Sequence, residues 1–329
     1  MTSVIDRRTF LAGTGAVLLA APLAAEAQRE GKTARIGVLY PGSDNSVFRG
    51  NLDGFRQALG AAGYAEGRNL VLDVRVGDGR ALAPLAVELT RLPPDLTLAV
   101  ARPGVVAMRA ATSTIPIIGL DLESDPVASG FAKTLPRPGG NLTGVFMDFP
   151  ELAGKWLEIL KMTAPGLTRV AVLWDPATGP AQLDAARRAA EILKLTVYPV
   201  EARSTAEIEP AIRAALRERP NGLVALTSPL FNSGRRIIIE GAARHRLPTL
   251  LPFSGYAKDG GLVSYGPDVM KMYAQAGTMA VKILAGTPPK EIPIERPTRF
   301  TLSFNLKTAK ALGLTIPPSL LGRADELIQ

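Results

Sequence analysis

Short, uniformly apolar segments alternate with amphipathic helical segments along most of the chain, and this alternation restricts the folds that the chain can adopt. A uniformly apolar run is typical of a parallel strand that helices cover on both faces. Repeated β–α units of this kind predict doubly wound parallel α/β sheets. We predict strands over residues 34–40, 69–74, 96–101, 116–120 and 143–147, and then 169–174, 196–200, 222–227, 249–253 and 262–265.

The segments between these strands carry helical periodicity. Apolar residues between Phe48 and Leu59 recur every three or four positions, which places them on one face of a helix, and Gly63 predicts the end of that helix. Similar stripes begin at Leu152 and at Ile208. Helices therefore separate the strands, as parallel β–α–β connections require.

Two similar segments, RIGVLYP at residues 35–41 and RVAVLWDP at residues 169–176, open two successive series of β–α units. Chance resemblance between two buried strands would explain this pair by itself, but the duplicated order of elements favours two lobes built on one plan. The predicted fold is therefore two doubly wound parallel-sheet lobes joined by a hinge. Ligands of such sheets bind beyond the carboxyl ends of the strands, so the two lobes would share a cleft that closes around a ligand.

The composition removes several classes of function. The 329 residues suffice for about two domains, and the absence of cysteine excludes disulfides, thiolate nucleophiles and Cys-ligated zinc. A single histidine, His245, excludes a multi-histidine metal site. The net charge of +8 is spread without a basic block, so no nucleic-acid partner is expected. We predict no catalytic residues, no metal and no cofactor.

Residues 1–27 resemble an export signal. The pair Arg7 and Arg8 precedes an apolar run over residues 11–25, and Ala25 and Ala27 supply the small residues of a cleavage site. A retained membrane anchor is the alternative, but the run is short for a membrane span of about 20 residues. A twin-arginine (Tat) signal predicts a periplasmic protein, and without cysteine that protein would carry no lipid anchor. We expect a monomer.

The ordered motifs resemble those of one known family. The chain is similar to type 1 periplasmic solute-binding proteins of ABC transporters, in the group that includes tryptophan- and phenylalanine-binding members. This resemblance implies an extracytoplasmic receptor of an ABC importer that captures a solute and delivers it to permease subunits in the inner membrane, without enzymatic activity. The motifs are RIGVLYPGS (35–43), GYAEGRNLVLD (63–73), ATSTIPII (111–118), DPVASGF (125–131), LPRPGGNLTG (135–144), LTRVAVLWDP (167–176), GGLVSYGPD (260–268) and NLKTAKALGLTIPPSLLGRADELI (305–328).

Three segments depart from the family pattern. Residues 102–104, Arg-Pro-Gly, replace a Gly-Thr-Pro-type turn and add a guanidinium to the expected cleft. Residues 227–230, Thr-Ser-Pro-Leu, lack the usual aspartate, and residues 120–124 are unusually acidic. The aromatic amino acid specificity of the relatives is therefore not transferred directly to this chain.

Candidate ligand-binding residues lie at the predicted strand ends of both halves. Ser43 and the amides that follow it suit a carboxylate, as does Arg102, whereas aspartates suit a ligand ammonium and aromatic residues suit a flat ligand. Each has a structural alternative: a helix cap, a rim salt bridge, a turn or core packing, and for Tyr265 a place in the hinge. The predicted ligand is a small, amino-acid-like zwitterion or carboxylate, with an aromatic side chain as one option. The set comprises Ser43, Asp44, Arg102, Gly104, Asp121, Phe146, Asp148, Trp174, Asp175, Ser228, Phe253 and Tyr265.

The resemblance also implies three hinge crossings, near residues 147–151, 265–268 and 295–299. The first lobe would then comprise residues 28–147 and 268–296, and the second lobe residues 148–267 and 297–329. Two other functions remain open. One is a ligand-sensing receptor for a membrane signalling protein; the other, less favoured because no Gly-x-Ser-x-Gly, P-loop or GxGxxG fingerprint follows a strand, is a periplasmic α/β enzyme.

Overall fold

A computed structural model describes residues 33–77, 79–147, 152–253 and 255–329. The predicted export signal, residues 1–27, lies outside the described residues. Within the described ranges, none of the helices is both long enough and apolar enough to span a membrane.

The first half of the chain forms a five-stranded parallel sheet in the order β2-β1-β3-β4-β5. Each strand overlaps a predicted one, because a run of apolar residues buried on both faces leaves few other structures for the chain. The strands are β1 (Ala34–Pro41), β2 (Leu70–Gly77), β3 (Leu96–Val100), β4 (Ile117–Asp121) and β5 (Leu142–Phe146).

The second half forms a seven-stranded sheet in the order β12-β11-β10-β9-β8-β6-β7. Strands β6 to β10 are parallel to one another, whereas β11 runs antiparallel to β10 and pairs with β12 at the edge of the sheet. The sequence analysis predicts neither β11 nor β12. The strands are β6 (Arg169–Trp174), β7 (Thr196–Glu201), β8 (Gly222–Ala225), β9 (Thr249–Leu251), β10 (Val263–Pro267), β11 (Phe300–Asn305) and β12 (Glu326–Ile328).

The two sheets repeat one strand order. Strands β7-β6-β8-β9-β10 of the second sheet follow the same sequence as β2-β1-β3-β4-β5 of the first. This repetition confirms the prediction of two parallel α/β lobes on one plan. The motifs at residues 35–41 and 169–176 form the equivalent strands β1 and β6.

Helices cover both faces of each sheet, and the strands alternate their side chains between these faces. In β6, Val170 and Val172 face a core with the helices at Leu152–Thr163 and Ala181–Ile192, whereas Ala171 and Leu173 face a core with the helices at Thr205–Ala215 and Arg235–Arg244. The helices are α1 (Ser46–Ala61), α2 (Leu82–Arg91), α3 (Ala101–Ala111), α4 (Leu152–Thr163), α5 (Ala181–Ile192), α6 (Thr205–Ala215), α7 (Pro229–Ser233), α8 (Arg235–Arg244), α9 (Gly255–Lys258), α10 (Val269–Leu284), α11 (Leu306–Ala311) and α12 (Pro318–Leu321).

The chain passes between the two sheets three times. After β5 it continues into α4, which packs in the second lobe, and after β10 it returns as α10, which packs against α1 in the core of the first lobe. Glu295 then forms a parallel bridge with Val145 at the edge of the first sheet, before β11 rejoins the second sheet. These passages place the carboxyl ends of both sheets against one another.

Candidate ligand-binding cleft

Two cavities lie between the carboxyl ends of the two sheets. The outer cavity has a volume of about 370 Å³ and is lined by residues 41–43, at the end of β1 and in the loop after it, and by residues 175–177, which follow β6. The central cavity has about 40 Å³, and its walls include Tyr40, Glu123 and Phe253. Ligand sites of proteins typically occupy about 300–1,000 Å³, so the outer cavity falls within the usual range, whereas the central cavity has room for little more than a water molecule.

The cavities adjoin each other and a third opening. Pro229, at the start of α7, lines both the outer and the central cavity. A lateral groove of about 700 Å³ shares Asn51, Asn232, Phe253 and Val269 with the central cavity. The central cavity therefore lies in the middle of a cleft that both lobes line.

The first lobe contributes a pair of buried carboxyl groups: Glu123 lines the central cavity, and Asp121 lies behind it. Asp121, the last residue of β4, is fully buried, and its Oδ1 accepts the backbone N–H groups of Glu123 at 2.8 Å and of Ser124 at 3.1 Å. Glu123 Oε2 accepts the backbone N–H of Arg102 at 3.1 Å. Among the described residues, no hydrogen-bond partner reaches Asp121 Oδ2.

Burial determines the protonation of this pair. Removal from water raises the pKa of Asp121, although hydrogen bonds from Glu123 and Ser124 oppose the change. Burial also raises the pKa of Glu123 well above its usual value, and the neighbouring charge of Asp121 adds to the effect. Two adjacent buried carboxyls favour holding one proton between them over ionising together.

The second lobe contributes Asp175, directly after β6, and Ser228, which caps α7. Ser228 Oγ donates a hydrogen bond of 2.7 Å to Asp175 Oδ2 and accepts the backbone N–H of Leu230 at 3.0 Å. Asp175 Oδ1 accepts the backbone N–H of Ala177 at 2.9 Å. Burial raises the pKa of Asp175, while the hydrogen bond from Ser228 opposes the rise. The negative charge of Asp175 also acts on Glu123 across the cleft.

Polar contacts join the lobes around the cavities. The ring of Tyr40 stacks on Phe48 with centroids 4.0 Å apart, and its hydroxyl lies against Asn232 and Ser233 of the second lobe. Burial raises the pKa of this hydroxyl.

A second contact is a buried latch around the carbonyl of Leu122. Gln182 Nε2 donates to this oxygen at 3.0 Å, and Gln182 Oε1 accepts the backbone N–H of Thr227 at 3.1 Å. Gln182 also donates to the hydroxyl of Thr227. Because Leu122 follows the first sheet whereas Gln182 and Thr227 belong to the second lobe, this latch joins the two lobes across the cleft.

The structure brings some of the sequence-predicted residues together. Ser43 and Asp175 line the outer cavity, Ser228 and Phe253 line the central cavity, and Asp121 contacts Glu123 behind its wall.

Arg102 lies at the edge of the cleft but is engaged within its own lobe. Its guanidinium donates to Ser124 Oγ at 3.0 Å and to Ser129 Oγ at 3.1 Å, and it lies over the ring of Phe131. In the second lobe it approaches Gly179, where an added Cβ would lie 3.3 Å from its Nε.

Other predicted residues lie away from the cavities. Asp44 forms a bidentate pair with exposed Arg49 at 2.8 Å, which lowers the pKa of the Asp44 carboxyl. Gly104 allows α3 to approach β1, since an added Cβ would lie 3.4 Å from the Leu39 carbonyl oxygen. Phe146 is buried in the first-lobe core against Gly119.

Two aromatic residues of the second lobe also serve packing. Trp174 Nε1 donates to the carbonyl of Gly179 at 2.9 Å, and its ring packs against the second-lobe core. Tyr265 lies in β10 with its ring 5.9 Å from that of Phe300. Asp148 lies outside the described residues.

Ser43 does not lie at the start of the first helix, where it was expected. The helix begins at Ser46 and is capped by Asn45, whose Oδ1 accepts the backbone N–H groups of Val47 and Phe48, both at 3.0 Å. The extended backbone of Asn45 places its side chain under the first turn. Ser43 precedes the cap and is exposed at the outer cavity.

Sequence reasoning missed several residues that line the cleft. Glu123 is the main one, and its only signal is the acidic character of residues 120–124. Tyr40, which is not among the predicted ligand-binding residues, does carry a sequence signal, because it is the aromatic residue near the end of β1. Asn51 and Asn232 lie on helices of opposite lobes, and they line the central cavity because the two lobes meet there. No local sequence pattern predicts this contact.

Three comparisons place the chain among known proteins. Residues 35–328 match the family described as ABC transporter substrate binding protein. A tyrosine-binding protein from Clostridioides difficile (strain R20291) is 28% identical over 265 residues, which cover 79% of this chain and 76% of that protein.

Three solved structures are also similar to this chain over most of its length. A conserved domain protein from Vibrio cholerae is 26% identical with a TM-score of 0.83, and an ABC domain in complex with L-Trp from Streptococcus pneumonia is 25% identical with a TM-score of 0.81. A ligand-free, open substrate binding protein from Clostridium difficile is 26% identical with a TM-score of 0.62. Each match covers 90% of this chain and 100% of the other. The resemblance in the sequence is thereby confirmed, and the chain belongs to the family of ABC transporter substrate binding proteins.

Proposed function

We propose that the protein is the extracytoplasmic receptor of an ABC importer and that it holds a small, amino-acid-like ligand between its lobes. The observation that carries this proposal is the cleft itself. Polar groups from the carboxyl ends of both sheets meet there beside aromatic residues, as in a site that orients a small molecule and excludes water.

The comparison of open and ligand-bound relatives supports closure around a ligand. At nearly equal identity and coverage, the chain superposes better on the L-Trp complex than on the ligand-free, open structure. The difference is in keeping with a closed arrangement of the lobes. The latch at Leu122 and the contact of Tyr40 with Asn232 act in the same direction.

The proposed ligand-binding residues line the two cavities or lie directly beside them. Ser43 and Arg102 would meet a ligand carboxylate at the outer cavity, and Asp121, Asp175 and Ser228 would meet an ammonium. Phe253 would pack against the ligand body. The lobes would open about hinges near residues 147–151, 265–268 and 295–299, with lobe boundaries at residues 28–147 plus 268–296 and residues 148–267 plus 297–329.

The cellular setting belongs to the same proposal. Residues 1–27 would direct export through the twin-arginine route, and the mature chain would act in the periplasm as a monomer without a lipid anchor. Its partners would be the solute and the permease subunits of the inner membrane. It would bind the solute without changing it.

A melting experiment tests this function. The purified chain is heated with a panel of amino acids, organic acids, amines, purines and sugars, each far above its expected Kd. A ligand that binds only the folded protein stabilises it by about 2.7 kcal/mol at 100 times Kd. We expect at least one amino-acid-like compound to raise the melting temperature, and a panel with no effect would contradict the proposal.

A further inference from the structure

Resting on the proposed function, we infer that Glu123 selects a ligand with a positively charged amine, and that this amine replaces a proton held between Glu123 and Asp121. The inference narrows the ligand class from zwitterions or carboxylates to compounds that carry an ammonium group. It assigns this selection to a residue of the cleft wall.

The position of Glu123 suits this role. It lines the central cavity although only 5% of its surface is exposed. Its Oε2 is fixed by the backbone N–H of Arg102 at 3.1 Å, and its carboxyl is in hydrogen-bond contact with Asp121. Asp121 Oδ2 is buried and accepts no hydrogen bond from the described residues. Two carboxyls in contact need a proton or another cation between them.

No protein cation supplies this charge. Among the described residues, none of those lining the central cavity is a lysine or an arginine. The Arg102 guanidinium donates to Ser124 and Ser129 instead. Arg235, in the lateral groove, pairs with Asp259. The described residues also contain no group of three or more His, Asp or Glu side chains placed for a metal ion.

The carboxylates around Glu123 favour a cation in the cavity. The charges of Asp121 and Asp175 both oppose its ionisation, and burial opposes it further, so the pKa of Glu123 is raised well above its usual value. Tyr40 faces Glu123 from β1, and burial keeps its hydroxyl neutral. The positive charge of Arg203, which lines the outer cavity, lowers the pKa of Asp175 and does not neutralise Glu123 directly. An ammonium beside Glu123 would relieve both repulsions at once.

Ligand binding would exchange the shared proton for an ammonium group and would form no covalent bond to the ligand. The carboxyl O–H shared by Glu123 and Asp121 gives its proton to solvent, and the ammonium N–H groups donate to the carboxylate oxygens that remain. One cation thus replaces another. A ligand with a carboxylate alone would add negative charge beside three carboxyl groups, so the central cavity would reject it. The central cavity, at about 40 Å³, has room for the ammonium group alone, so the body of the ligand would extend into the adjoining outer cavity of about 370 Å³.

Three matched probes test the inference by calorimetry: L-tyrosine, tyramine and 3-(4-hydroxyphenyl)propanoate. They share one ring and differ in the amine and the carboxylate. We expect L-tyrosine and tyramine to bind, and the propanoate to bind at least about 100-fold more weakly. Titration in two buffers of different ionisation enthalpy should show a proton released when tyramine binds, and the affinity for tyramine should rise with pH.

The variant Glu123→Gln keeps the side-chain volume and removes the ionisable group. It should weaken tyramine binding by at least about 10-fold, abolish the proton release and flatten the dependence on pH. Glu88→Gln removes an exposed carboxylate that pairs with Arg75 and should leave all three readouts unchanged. The dependence of wild-type affinity on pH provides a test that needs no variant.

The inference is overturned if the propanoate binds as tightly as tyramine, or if tyramine binding releases no proton and is unaffected by Glu123→Gln. It is also overturned if none of the three probes binds while another compound raises the melting temperature, and the receptor function then stands without it. If no compound of the panel has an effect, both proposals fail.

Discussion

The two lobes share a strand order but contribute different chemistry to the cleft. The first lobe presents Asp121 and Glu123, buried carboxyls without a side-chain cation. The second lobe presents Asp175, whose carboxylate accepts hydrogen bonds from Ser228 and Ala177, together with the hydroxyl and amide groups of Thr227 and Gln182, which hydrogen-bond to each other. A duplicated fold therefore fixes where a ligand can lie, whereas the residues after each strand decide what it can be.

The equivalent strands β1 and β6 show the same contrast. Both end in an aromatic residue, but Tyr40 reaches Asn232 and Ser233 of the opposite lobe, whereas Trp174 donates to Gly179 in the loop that follows its own strand. One aromatic joins the lobes and the other closes a turn.

The largest expected effect is a loss of stability on truncating a core residue, and it tests whether the two lobes have separate cores. Trp156, fully buried in the second lobe, donates its ring N–H to the Tyr265 carbonyl at 2.8 Å. Trp156→Ala should cost about 3–5 kcal/mol in the free energy of unfolding, measured in urea. Hydrogen exchange should show lost protection mainly in the second lobe, and Phe55→Ala should show the reverse pattern. Equal loss in both lobes for each variant would contradict two separate cores.

A smaller effect concerns the latch between the lobes. Gln182→Ala leaves the buried N–H of Thr227 and the carbonyl of Leu122 without this partner, at about 1–3 kcal/mol for each unsatisfied group. The ligand-free protein should therefore open, and X-ray scattering should give a larger radius of gyration. Gln57→Ala, on the exposed surface of α1, serves as the control. An unchanged radius would show that this latch does not hold the cleft closed.

The pH dependence of the free energy of unfolding tests the buried carboxyls of both lobes. A carboxyl whose pKa is raised on folding binds more protons in the folded state, so its contribution to stability is lost as pH rises through the folded pKa. Asp121, Glu123 and Asp175 all shift in this direction. Denaturation of the ligand-free protein at successive pH values should show stability falling above about pH 4, the usual carboxyl pKa, and Glu123→Gln should reduce the slope. A slope unaffected by Glu123→Gln would contradict the buried pair.

The smallest expected effect concerns backbone conformation. Ala101, the buried first residue of α3, has φ of 55°, while the second lobe places left-handed Lys194, Arg219 and Arg246 on its exposed surface. Ala101→Gly removes about 1–2 kcal/mol of left-handed strain, partly offset by about 0.5–1 kcal/mol of added unfolded-state entropy. We expect a gain below about 1.5 kcal/mol in thermal unfolding. A loss of stability would show that the Ala101 methyl packs favourably there.

The fold could be predicted because burial on both faces leaves a direct sequence signal. Every predicted strand overlaps a real one, and the repeated motif at residues 35–41 and 169–176 correctly indicated duplicated lobes. The C-terminal strands β11 and β12 were missed as strands. β12 has only three residues and lies at the sheet edge, and β11 alternates apolar with polar residues instead of forming the uniformly apolar run by which the other strands were predicted.

The cleft was harder to predict, because strand ends show where side chains lie along the chain but not which face they occupy. Phe146 and Tyr40 both lie at the carboxyl ends of first-lobe strands, yet one packs in the core and the other lines the central cavity. Glu123 lies in a loop after β4, and only its contact with Asp121 shows its role. The contact between the lobes positions these groups, and no local pattern encodes that contact.

The most direct test of the account measures the distance between the lobes. Because the chain has no cysteine, spin labels can be attached to the pair Arg80→Cys and Ala206→Cys, exposed residues beside opposite walls of the outer cavity. With the compound that most raises the melting temperature, the distance distribution should shift to a single, shorter distance. A distribution that is identical with and without that compound would contradict a receptor that closes its two lobes around a ligand.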